Sequence, residues 1–260
     1  MLSLSKCIKQ TTVAATVCLL GISFPSTPLA EEGLMCGRDP FNAPSEVAYL
    51  VSEMEAVLTA FATLRQLLTE TGLELCIAEH MFDAHGYFEP ESNRIVINGS
   101  LPLGLQQAIM VHELRHADQF ISGICPSPDL AMGENARAVF AMEADASATS
   151  LVVAWALREA GNPQLWDALA AWPMQQDIAQ IFADEMRASN DIGKAASAAF
   201  DAWYDNKTRL DLYYVAACSS YLDSEDKSHR LRGIGELDIA FYGRLCRLPG
   251  GGSYTCADPR

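Results

Sequence analysis

Positive charge is scarce in this 260-residue chain: 18 lysines and arginines stand against 33 aspartates and glutamates, a net charge of −15. A surface that acidic repels phosphate backbones and argues against nucleic acid as a partner. Internal repeats are lacking, so repeat architectures are set aside. Long apolar runs are lacking as well. The main one, "TVAATVCLLGISF" near the N-terminus, is short for a membrane span, and nothing after it reads as transmembrane. Cys-x-x-Cys is also missing, which removes the usual thiolate spacing for zinc.

What is present begins with an export signal. Lys6 and Lys9 precede the apolar run, and small residues ending at Ala30 follow it, so residues 1–30 read as a signal peptide. The expected destination is periplasmic or secreted. Eight cysteines are present, of which Cys36, Cys76, Cys125, Cys218, Cys246 and Cys256 lie beyond that segment. An even set in an exported chain predicts three disulfides, with Cys246 and Cys256 placed to pair locally. Half of all residues are hydrophobic (50%), enough for a globular core.

Along the chain, residues 31–44 read as an irregular lead-in. Ser45 can cap a helix whose apolar positions run from Val47 to Leu68 in steps of three and four, ended by Gly72. "LELCIAE" (73–79) is a strand candidate, and "GYFEP" with "RIVING" predicts a hairpin. Pro102 opens a helix to about Ser122, and a second long helix spans Gly133 to Glu159. Residues 163–245 read as further helices broken near Pro173, Asn190 and Asn206, and the tail as extended and poorly packed apart from any disulfide. The fold class is α+β, mostly helical, with a small antiparallel or mixed sheet ahead of the 102–122 helix.

That helix carries "HELRH". His112 and His116 are i and i+4, so both imidazoles leave one face about a turn apart, as two ligands of one metal must. Glu113 sits about 100° round the helix, able to face the same cavity and take a proton from water there. Zinc needs a third protein ligand. "MEADA" on the next long helix supplies Glu143, a carboxylate on a face of small and apolar residues, where an unpartnered charge is costly. Asp145 is the competitor; about 200° away from Glu143, it could instead orient an imidazole or pair with Arg115.

"HELRH" followed by the glutamate of "MEADA" resembles the gluzincin type of zinc metallopeptidase, and within it bacterial proteins described as metallopeptidases. The resemblance covers about residues 73–160. It implies a zincin-like domain over 31–160, with the helical part 161–260 packed on the same core. It implies one Zn²⁺ per chain held by His112, His116 and Glu143, Glu113 as general base, and a peptide or protein substrate. It also implies that the strand before the motif helix, "RIVINGS", pairs with extended substrate, and that a Tyr, His or Arg stabilises the oxyanion. Tyr213, Tyr214, Tyr221 and His229 are candidates that spacing does not separate. His80, His85 and His229 read as solvated loop residues. Two other readings stay open: a non-catalytic, zinc-stabilised binding protein, and a metal-free helical protein.

Overall fold

The computed structural model describes residues 33–42, 45–81, 84–229 and 231–258. The expected export signal lies outside them. The four-stranded sheet has the order β1-β2-β4-β3. β1 (Leu34–Gly37) arises where the sequence reads as irregular. What pins it is Cys36, which sits opposite Cys76 of β2 (Glu74–Ala78) in register and is disulfide-bonded to it. β3 (Gly86–Glu89) and β4 (Arg94–Asn98) form the expected hairpin, with Asn93 at φ 51° in the turn. Asparagine tolerates that left-handed conformation better than most residues.

β4 runs parallel to β2 and antiparallel to β3. Its backbone is therefore bonded on both sides. This corrects the expectation that "RIVINGS" pairs with an extended chain: the edge strands are β1 and, next to β4, β3.

The expected helix after Ser45 is three short ones: α1 (Glu46–Glu53), α2 (Glu55–Ala60) and α3 (Ala62–Glu70). Ser45 Oγ accepts from Ala48 N at 3.1 Å, the predicted cap. Phe61, at φ −123° and ψ 86°, breaks the path, so Met54, Phe61 and Leu68 all reach the core despite an imperfect helical stripe. Gly72, at φ +70°, ends α3.

α4 (Leu103–Ile121) carries the motif and α5 (Met132–Glu159) follows it. Buried alanines at 138, 141, 144 and 148 thin α5 so that its neighbours approach closely. α5 is long and apolar enough to cross a membrane by composition, yet most of it is enclosed by protein. The enclosing helices are α6 (Gln164–Ala171), α7 (Gln176–Ser189), α8 (Ile192–Trp203), α9 (Lys207–Ser228) and α10 (Ala240–Leu245). One apolar cluster runs from Val47 through Trp203 to Tyr254.

Cys246 and Cys256 are paired as expected. Cys218 is a free thiol while Cys125 is disulfide-bonded, so the expected pairing of all six cysteines among themselves does not hold. Cys218 lies on α9 against Ala136 and Val139 of α5, a setting that suits a small apolar side chain. The two described disulfides fit an oxidising environment. The tail is not loosely packed. Tyr254 is buried, and Thr63 Oγ1 donates to Pro249 O at 2.7 Å. The disulfide shortens the loop's free chain and thereby holds Tyr254 in the core.

Candidate metal centre

α4 and α5 bring four of the predicted residues together. His112 Nε2 and His116 Nε2 are 3.1 Å apart. Glu143 places Oε2 3.2 Å from His112 Nε2 and Oε1 3.4 Å from His116 Nε2. A tetrahedral zinc with bonds of about 2.0–2.1 Å has ligand-to-ligand edges of roughly 3.3 Å. The two imidazole nitrogens stand close to that separation, and each has one Glu143 oxygen at a similar distance. Glu143 and His116 are buried, so the donors hold this spacing inside the core.

The protons on His116 can be assigned from its neighbours. Gln119 Nε2 donates to Met142 O at 3.0 Å and to Asp145 Oδ2 at 2.7 Å, which fixes the amide orientation. Its Oε1 therefore faces His116 Nδ1, at 2.9 Å, as an acceptor. Nδ1 must carry a proton, and Nε2 points its lone pair into the triangle in the neutral ring.

Without a cation, charge at the triangle is shared between protons. Burial opposes charge on His116, but the Glu143 carboxylate outweighs it and the imidazole is pushed up to about 9. Burial likewise opposes charge on Glu143, yet His116 and His112 hold its carboxyl well below the usual range. Glu113 is set apart. Burial raises its carboxyl above the ordinary value, more than His116, His112 and the backbone amide of Phe88 on β3 lower it. Its Oε2 is buried without a hydrogen-bond partner among the described residues.

Asp145 is taken up elsewhere. Its carboxylate accepts from Arg115 Nε at 2.6 Å, Gln119 Nε2 at 2.7 Å and Tyr254 Oη at 2.6 Å. It orients His116 only through Gln119, and it pairs with Arg115 as the sequence allowed. Of the four tyrosine and histidine candidates, Tyr213 alone reaches the site: its hydroxyl interacts with Glu143 and feels the charge of Glu113. Tyr221 Oη instead donates to Leu130 O at 3.1 Å and accepts from Gly233 N, and Tyr214 is exposed. His229 ends α9 at φ 51°. His80 is exposed, while His85 stacks on Trp172 at 5.1 Å between centroids, not free in solvent as expected.

Gln119 and Tyr254 were not foreseen. Gln119 had a signal, since i+3 from His116 places it against that ring. Tyr254 had none, because its partner is distant in sequence.

Two imidazoles and a carboxylate gathered within ligating distance of one another, with a further buried carboxylate beside them, make a group of donors that can hold a metal ion in a mostly helical protein. Residues 30–256 match the family described as "Putative metallopeptidase family (DUF6782)", and the chain belongs to it. No curated protein and no solved structure matches the chain.

Proposed function

We propose that the protein is an exported zinc-dependent peptidase of gluzincin type, with a zincin-like unit over 31–160 covered by the helices of 161–260. The observation that carries this reading is the pair of imidazole nitrogens 3.1 Å apart, with Glu143 Oε2 3.2 Å from one and Oε1 3.4 Å from the other, beside a carboxylate with an oxygen unpartnered among the described residues. His112, His116 and Glu143 would hold the ion. Zinc held there supplies Lewis acidity, acidifying water and polarising a carbonyl oxygen.

The chain's own groups divide the remaining work. Glu113 takes a proton from the attacking water at its carboxylate and delivers it to the leaving amine nitrogen. Its raised carboxyl suits that exchange, because a base too acidic holds no proton to return. The free edge of β3 offers backbone groups to an extended peptide, and Phe88 on that strand links the edge to Glu113. Tyr213 is placed to donate to a developing oxyanion. Export rests on the two disulfides together with the N-terminal sequence.

The competing reading, a zinc-stabilised protein without turnover, draws on the enclosure of the donors: the His112 side chain is 13% exposed and Glu143 3%. Glu113→Gln separates the two. The account expects this variant to keep its zinc and lose peptide cleavage that the wild type performs on unfolded protein. Equal cleavage by both, at equal zinc content, would remove Glu113 from the mechanism.

A further inference from the structure

A cavity lies beside the C-terminal half of α4. It has a volume of about 450 Å³ and is lined by residues of α4, the loop 122–124, α10 and the disulfide-closed loop after it. Arg115 and Asp118 of α4 and its C-cap Ser122 line it, whereas His112, Glu113, His116 and Glu143 do not. This cavity is therefore separate from the metal triangle. Its size falls in the range that holds a small molecule.

Its charge is the unusual feature. Arginines are few in this acidic chain, and most of those described are paired, as Arg65 is with Glu55 and Arg209 with Asp177. Arg244 and Arg247 both line the cavity, and neither makes an ion pair or a side-chain hydrogen bond among the described residues. Arg115 forms the floor, held by Asp145, Asp118 and Leu245 O. Arg244 and Arg247 are both solvent-exposed at the cavity, which leaves their guanidinium groups accessible to an incoming anion. Asp118, the one carboxylate of the lining, accepts from Arg115 and pairs with neither Arg244 nor Arg247.

The walls are built, not draped. The Cys246–Cys256 bridge closes the loop that contributes Arg247, Leu248, Pro249, Gly251 and Gly252. Within it Gly251 N donates to Leu248 O at 3.0 Å, and Thr63 ties Pro249 to α3. Arg115 Nη2 donates to Leu245 O at 2.6 Å and anchors the other end. A site fixed in advance loses little freedom on binding. Ile124, Leu248 and Pro249 make one wall apolar.

We propose that this cavity binds a small organic anion, a phosphate or carboxylate carried on an apolar body, with Arg244 and Arg247 taking the charged group and Ile124 and Leu248 the body. Guanidinium forks match both oxyanions. Arg115 touches the cavity and Asp145, and Asp145 touches Gln119 and through it His116, so the bound anion sits one contact chain from the metal centre.

The test is calorimetric titration of the metal-loaded protein with inorganic phosphate and with phenyl phosphate at fixed ionic strength. Phenyl phosphate should bind at about one per chain and more tightly than phosphate. Arg244→Gln with Arg247→Gln should weaken both by about tenfold or more, as loss of charge-assisted hydrogen bonds does. Arg65→Gln with Arg187→Gln removes the same charge elsewhere on the exposed surface and should change nothing. Binding should persist in His112→Ala. No binding, equal weakening by the two double variants, or binding lost only in His112→Ala would each overturn the proposal, the last by placing the anion at the metal.

Discussion

Replacing Gln119 with Leu should loosen the metal without unfolding the protein. Gln119 is fully buried and makes three contacts: Met142 O at 3.0 Å, Asp145 Oδ2 at 2.7 Å and His116 Nδ1 at 2.9 Å. Leucine fills much of the same volume and makes none of them. Asp145 keeps Arg115 and Tyr254, so its charge stays compensated. The His116 Nδ1 proton is left buried and unbonded, at about 1–3 kcal/mol. The ring also loses the acceptor that fixes its tautomer and direction, a change that lowers metal affinity by about 10–100-fold in comparable sites. That is roughly 1.4–2.8 kcal/mol of binding free energy. Competition against a coloured zinc chelator measures the affinity, and urea unfolding of the metal-free protein measures the fold. An unchanged zinc affinity in a folded variant would refute the reasoning, since Gln119 would then not determine how His116 presents Nε2.

The other predictions are simpler. Loading zinc into the metal-free protein at pH 7 should release a proton, because His116, with an ordinary value of 6.5, is pushed up to about 9 and holds one there; the calorimetric heat should then vary with the buffer's ionisation heat. In the metal-free protein the same pairing stabilises the fold fully below about pH 6.5, and this stabilisation is lost as pH rises through about 9, visible in urea midpoints. Gly86→Ala should destabilise by about 1–3 kcal/mol, as a Cβ there would meet Ile109 Cγ2 at 2.4 Å and Val96 O at 2.9 Å and push β3 off α4. Removing Cys36–Cys76, which spans 40 residues, should cost about 4 kcal/mol, against about 3 for Cys246–Cys256, which spans 10. Equal unfolding midpoints for the two double serine variants would contradict the loop-length argument.

The helices around the motif were legible because their signals are local. Pro102 starts α4, the steps of three and four from Val47 give the apolar face of the first helices, and Asn190 and Asn206 end or cap their neighbours. The third donor was legible for the same reason: a carboxylate on an alanine face announces a partner. What stayed hidden depends on contacts between distant residues. β1 forms because Cys36 meets Cys76, and no periodicity in four residues foretells that. Strand order decided that β1 and β3, and not β4, lie at the edges. Tyr254 reaches Asp145 only because a bridge folds the tail back, which is also why the tail read as loose. Tyr213 was one of four equivalent candidates until the packing of α9 on α5 brought it to Glu143.

The central claim is that His112, His116 and Glu143 form a zinc site. The most direct measurement is zinc per chain in the purified protein from residue 31 onward, beside His112→Ala. The account predicts about one zinc per chain in the first and none in the second. No zinc in either, after zinc has been supplied in excess, would contradict it.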